Sequence, residues 1–292
     1  MRQFVFTMFS LLLVFSMDAQ RRQGSWQDYL SFSNATKIAV AGPKVWCATE
    51  GGLFYYDHED QSIQKFSGVN GLSGFGIQTI AWDETHQVLL VVYKDSNIDL
   101  VYESGVVNLS DIKRKQITSD KQIYNISFSE NEVYLSCGFG IVVLNLERQE
   151  VKDTYFIGDG GSALRVNDVQ EFGGYLYAAT NIGLRRAEKE GVNLLDYRNW
   201  ERVQNISYSN RKFSHLAVHA GDLIANYTPD RHNQDEMYRL QNGEWVRYLP
   251  PINYSGDIQI SNETMVVASH PEIFGVDETH TLTGMLNSYT LE

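Results

Sequence analysis

The chain repeats itself, and that repetition limits its fold more than any other feature. Val45 opens the run VWCAT, Val88 VLLVV, Val133 VYLSC, Leu176 LYAAT, Leu223 LIANY and Met265 MVVAS, at steps of 43, 45, 43, 47 and 42 residues. A strand-like segment precedes each run: KIAVA, IQTIAW, IYNISF, VNDVQEF, FSHLAVH and DIQIS. Short polar turns join the pairs, among them GPK, DETHQ, GGY and AGD. After each run comes a break and a third strand-like segment: GLFYYD, IDLVYE, GIVVLNLE, GLRRAE, EMYRLQ and IFGVDE.

A period near 44 with at least three short strands per unit has the size of one β-propeller blade, which carries four strands. A β-sandwich supplies no fixed period, and a β-helix has shorter coils. The second strand of each unit is almost wholly apolar, as expected where neighbouring sheets cover both faces. The third alternates more, as expected nearer the rim. Small residues in the second strands (Ala48, Ser136, Ala178, Ala179, Ala225, Ala268) allow close approach of adjacent blades. Gly51, Gly52, Gly140 and Gly183 mark the turn to the third strand. The fold expected is therefore all-β, a propeller of four-stranded blades with six repeats visible.

Closure of the ring leads to a further expectation. The segment GSWQDYL (Gly24 to Leu30) has the shape of an outer strand, like NGEWVRYLP (Asn242 to Pro250). If Trp26 completes the final blade, TLTGMLNSYTLE is either the sixth blade's own outer strand or a tail. In the first case the six repeats belong to a seven-bladed propeller that is incomplete at the C-terminus.

Aromatic and β-branched residues with 23 glycines and only 5 prolines favour strands and tight turns. The net charge of −12 argues against nucleic acid, which calls for an excess of Lys and Arg on some face. The N-terminus differs from the rest: Arg2, then FVFTMFSLLLVFSM, then DAQ. This reads as a secretory signal peptide over residues 1–19, leaving 20–292 as the propeller domain. The apolar run falls short of the roughly 20 residues a membrane span needs, and no later segment could span. Two cysteines in an exported chain invite a bridge, but Cys47 and Cys137 sit in second strands two blades apart. That separation exceeds the ~7 Å a disulfide tolerates.

Motifs that suggest chemistry mostly dissolve on inspection. His215 and His219 would share a metal on a helix, but on a strand four residues span about 13 Å. Asp95, Asn97 and Asp99 have the spacing that opens a calcium loop, yet Leu100 stands where glycine is required and Val106 where glutamate is. They read as a polar turn. GDGGSA (Gly158 to Ala163) lacks the helix start that backs a phosphate cradle and reads as an inter-blade loop. N-x-S/T sequons, among them Asn34, Asn108, Asn125, Asn205, Asn253 and Asn262, are weak evidence in a chain with 19 asparagines and many Ser and Thr, and Asn125 lies inside a strand. No nucleophile–base pairing emerges, so neither catalytic residue, metal site nor cofactor is assigned.

Propellers bind through loops at one face of the ring. The candidates there are Glu50, Lys94, Asp95, Phe139, Asn181 and His270, with Arg231, His232 and Asp235 in the insertion YTPDRHNQDE. That insertion accounts for the 47-residue step and is the expected functional protrusion.

VWCATEGGLFYYD resembles the V-W-x-x-T-x-x-G-L-x-x-Y-D blade signature of the two-component-regulator propellers, through Val45, Trp46, Thr49, Gly52, Leu53, Tyr56 and Asp57. LYAATNIGLRRAE is a second copy that keeps Thr180, Gly183 and Leu184, then departs where Arg185 and Arg186 stand. With the leader ending DAQ and the WQDYL strand before KIAVAGPKVWCATEGGLFYYD, the mature chain resembles the PorZ family of the bacterial type IX secretion system. The resemblance implies a non-catalytic component at the outer-membrane surface. Its implied partners are the PorU sortase, PorV and PorQ, in cargo processing and attachment to anionic lipopolysaccharide. The alternative it leaves is the periplasmic glycan-sensing propeller of a hybrid two-component regulator.

Overall fold

The computed structural model describes residues 30–287 apart from 131, 231–233, 250–251, 254, 262 and 270–271. The leader at 1–19 and the Trp26 strand lie outside the described residues. Among the described residues, twenty-four strands form six antiparallel four-stranded sheets, each built from consecutive strands. Blade 1 holds β1 (Lys37–Ala41), β2 (Lys44–Ala48), β3 (Leu53–Asp57) and β4 (Ile63–Phe66). Blade 2 holds β5 (Ile77–Asp83), β6 (Val88–Tyr93), β7 (Ile98–Tyr102) and β8 (Gly105–Leu109), followed by the short helix α1 (Asp111–Arg114). Blade 3 holds β9 (Ile123–Ser129), β10 (Glu132–Cys137), β11 (Gly140–Asn145) and β12 (Glu150–Tyr155). Blade 4 holds β13 (Val166–Phe172), β14 (Tyr175–Thr180), β15 (Gly183–Glu188) and the two-residue β16 (Glu201–Arg202). Blade 5 holds β17 (Phe213–His219), β18 (Asp222–Tyr227), β19 (Glu236–Gln241) and β20 (Glu244–Arg247). Blade 6 holds β21 (Ser255–Ser261), β22 (Thr264–Ser269), β23 (Glu272–Val276) and β24 (Leu282–Asn287).

The sequence period is thus the blade, and the fold is a β-propeller with six four-stranded blades among the described residues. The first strand of each sheet is innermost, beside the first strands of its neighbours. Second strands are sandwiched between blades, and β6 is buried along its whole length. The third strands of blades 2 and 3 are buried nearly as well, with β7 and β11 exposing little beyond their last residues, whereas β3 and β23 are mostly half-buried, nearer the rim pattern. A polar residue in such a strand is internal: Asp99 on β7 is fully buried and accepts from Tyr93 Oη (2.6 Å), the Ser73 amide (2.7 Å) and Asn108 Nδ2 (2.8 Å). The rim falls to the fourth strands, such as the mostly exposed β20. The segment TLTGMLNSYTLE supplies β24, the sixth blade's own outer strand.

Apolar side chains from facing sheets make buried clusters between consecutive blades, one each for the pairs 1–2, 2–3, 3–4, 4–5 and 5–6. Burial of this surface is what holds one thin sheet to the next. Among the described residues no such cluster joins blade 6 to blade 1. There the link is an ion pair, Lys37 Nζ to Asp257 Oδ2 at 3.3 Å. Alternation along the strands turns Ile38 and Val40 of β1 to the side opposite blade 2, where they are 64% and 62% exposed. Ile273 and Leu286, cross-strand partners in blade 6, are likewise exposed on the side away from blade 5.

Both thiols are free: Cys47 is partly buried in blade 1 and Cys137 fully buried in blade 3. Burial pushes both thiols above their ordinary range.

Candidate functional site: the loop face and the axial belt

The turns between second and third strands share one face with the connectors between blades, because strand direction alternates across each sheet. In blades 1 and 4 a threonine shapes this turn. Thr49 Oγ1 donates to the Gly52 carbonyl (3.0 Å) and accepts from the Gly52 amide (3.2 Å). Thr180 Oγ1 donates to the Gly183 carbonyl (2.6 Å) and accepts from the Ile182 amide (3.1 Å). The T-x-x-G pattern in the sequence is this self-capped turn. The glycine is needed because the end of the fourth strand, or the connector after it, passes directly over it. A Cβ on Gly183, at φ +115°, would stand 2.1 Å from the Ser209 carbonyl oxygen, and one on Gly140, at φ +151°, 2.2 Å from that of Tyr155.

The candidates expected from the sequence separate on this face. Glu50 and Lys94 are exposed on their turns. Asp95 pairs with Lys113 at 2.8 Å and accepts from the Asn97 amide, while Asn97 and Asp99 are buried, so the three do not converge on a common point. Asn181 accepts from Asn167 Nδ2 at 3.1 Å. Phe139 is buried against Phe156, with ring centroids 5.8 Å apart. It forms part of the floor of a pocket of about 410 Å³ with Ile112, Ile117 and Val151, rimmed by Arg114 and Lys115. Asp235 is buried and joins blades 5 and 6: its Oδ2 accepts from Asn226 Nδ2, Thr228 Oγ1 and the Ser255 amide. The far end of the YTPDRHNQDE insertion is therefore anchored in the fold. Arg231, His232 and His270 lie outside the described residues.

Sequence reasoning missed a second constellation, around the axis. In blades 2 to 6 the inner strand carries a bulge near its start, which skips Gln78, Tyr124, Asn167, Ser214 and Gly256 in the pairing. Bulges re-aim the following side chain. At the next position stand Thr79, Asn125, Asp168, His215 and Asp257, and Lys37 holds the matching register against Ala48 in blade 1. Six polar residues, one per blade, form a belt at one level. Asp168 is its hub. Its Oδ1 accepts from Asn125 Nδ2 (2.7 Å), Ser127 Oγ (3.3 Å) and the Val169 amide (2.7 Å), and its Oδ2 from the Leu216 amide (2.8 Å). One carboxylate thus ties blades 3, 4 and 5. Burial pushes the Asp168 carboxyl up to about 6, against the pull of these donors. The same burial pushes the His215 imidazole down to about 4, with Asp257 acting in the opposite direction. His219, four residues along, donates from its Nε2 to the Asp277 carbonyl at 2.8 Å, so the two histidines serve different contacts.

A family model for the type IX secretion PorZ N-terminal β-propeller domain matches residues 45–201, more than half of the chain. The chain belongs to the PorZ N-terminal propeller family. Its fold is similar to the solved structure of PorZ, an essential surface component of the type IX secretion system of Porphyromonas gingivalis, at 22% identity and TM-score 0.77. That match covers 89% of this chain but 34% of the other, so this chain spans about a third of the length of the PorZ structure. Fold similarity reaches further, to the WD40 propeller of Doa1 (TM-score 0.61, 14% identity, 88% of this chain and 84% of that one). It also reaches the extracellular domain of BT4673, a putative one-component system of B. thetaiotaomicron (TM-score 0.50, 13% identity, 88% and 42%). At such identities the likeness concerns the fold alone. No curated protein sequence matches the chain.

Proposed function

We propose that this chain is the first propeller of an exported, non-catalytic component of the type IX secretion system, working at the outer-membrane surface with a PorU-type sortase. In this reading it takes its place beside PorV and PorQ, where cargo loses its sorting domain and is joined to anionic lipopolysaccharide. The match of residues 45–201 to the PorZ propeller carries the proposal. Contact with partners falls to the loop face, with Glu50, Lys94, Asn181 and the Tyr227–Glu236 insertion as contact residues. Residues 1–19 act as the export leader and 20–292 as the propeller. A seventh blade covers Ile38, Val40, Ile273 and Leu286 at the seam, because six blades leave those apolar faces in water.

The test is affinity capture from an envelope extract, with the immobilised chain as bait and mass spectrometry as readout. Enrichment of the sortase over a bait of unrelated propeller fold is expected. Recovery of no sortase, together with thermal stabilisation by glycan fragments, would transfer the chain to the alternative class, the glycan-sensing propellers.

A further inference from the structure

Two stretches that the secretion role leaves unused meet between blades 3 and 4: the GDGGSA connector and the arginines that interrupt the second copy of the blade signature. Arg185 on β15 and Arg202 on β16 stand directly opposite each other in antiparallel register. Like charges in that position repel. Arg185 is buried, with its side chain 8% exposed, and its Nε has no partner. A buried guanidinium is costly unless an anion satisfies its donors. The group that does so is the carboxylate of Asp159, which reaches in from the connector: Oδ1 lies 2.5 Å from Arg185 Nη2 and Oδ2 3.8 Å from Arg202 Nη2. Asp159 itself is 76% exposed. One carboxylate in open water thus answers two guanidinium groups, and one donor of the buried group is left over. The Arg185 bond holds the Asp159 carboxyl below the ordinary range, as expected for an anion seated on a cation.

We propose that Arg185 and Arg202 form an oxyanion-binding site at the blade 3–4 junction, with Asp159 as the internal ligand of the free chain. The ligand class is a group with two or more oxygens on one centre, a carboxylate or a phosphate, because guanidinium forks pair with that geometry. It takes the place of the Asp159 carboxylate. Access is from solvent, on the side where Asp159 is exposed, and the two glycines that follow Asp159, Gly160 and Gly161, already hold left-handed conformations at φ +70° and +74°. The site does not depend on the secretion role.

Asp159→Asn keeps the side chain's size and removes its charge, leaving the site without its anion. Inorganic phosphate and acetate are titrated separately against chloride at matched ionic strength, with the melting temperature of the chain as readout. Expected is an apparent affinity for at least one oxyanion about tenfold tighter in D159N than in the unsubstituted chain, and its loss when R202Q is added. Phosphate response without acetate response assigns the site to phosphate, and the reverse to carboxylate. If D159N folds only when an oxyanion is supplied, the proposal is equally upheld. Equal responses of D159N and the unsubstituted chain, or a D159N response that survives R202Q, would overturn it.

Discussion

Asp168 offers a quantitative test of how the hub of the propeller is built. Asp168 is 2% exposed, and burial pushes its carboxyl up to about 6, against an ordinary value of about 3.9. A carboxyl raised on folding favours the folded state below the ordinary value, and that favour is lost as pH climbs through the folded value. The window is therefore about pH 4 to 6. A rise of about two pH units at 1.36 kcal/mol each gives about 3 kcal/mol in full, of which about 2 kcal/mol is lost between pH 4 and pH 7, because the unfolded carboxyl is already half ionised at pH 4. Asp168→Asn has no charge to acquire and removes this loss. Other carboxyls, including Glu132 and Glu171, are held low by their lysine partners and shift stability the opposite way. Only the difference between variant and parent isolates Asp168. Urea unfolding followed by tryptophan fluorescence at pH 4, 5, 6 and 7 measures it. The difference should move by about 2 kcal/mol in favour of D168N across that range, on top of a constant offset from the acceptor that Asn lacks. A flat difference, or one that moves against D168N as pH rises, would show that the four donors outweigh burial. The reasoning about the hub would then be refuted.

Other perturbations address the turns, the inter-blade core and the thiols. Thr49→Val deletes both hydrogen bonds of the blade 1 turn in a fully buried place and should cost about 1–2 kcal/mol in the urea midpoint. Gly183→Ala combines a left-handed backbone with a close approach to the Ser209 carbonyl and should cost about 3 kcal/mol by the same measurement. Leu90→Ala empties a fully buried position between blades 2 and 3 and should cost about 3 kcal/mol, without altering the β-sheet circular dichroism of the folded chain. In a native thiol titration with an aromatic disulfide reagent, Cys47 should react slowly and Cys137 only after denaturation.

The sequence carries the blade plan almost residue by residue, because each strand registers its burial as a run of apolar side chains and each turn as Gly, Asn or Asp. KIAVA through DIQIS are the six inner strands, and GLFYYD through IFGVDE the six third strands. The fourth strands were harder to see. β16 has two residues, and its residues are mostly solvent-facing, so no apolar pattern marks it. The axial belt was invisible because Lys37, Thr79, Asn125, Asp168, His215 and Asp257 are isolated polar residues in six different strands. Only the bulges, which shift register by one residue, bring them level. Loop position alone also misjudged surroundings: Phe139 and Asp235 sit on turns, yet one is packed into the blade 3 core edge and the other satisfies three donors at the blade 5–6 junction. Arg185 and Asp159 are 26 residues apart, and nothing in the linear order couples them.

The secretion role is tested most directly in the bacterium that encodes the chain, by deleting the gene and sequencing the C-termini of type IX cargo by mass spectrometry. The account predicts cargo that keeps its sorting domain and is released rather than held at the surface, with processing restored by the full-length gene. Cargo that is trimmed and surface-attached as in the parent strain would contradict it.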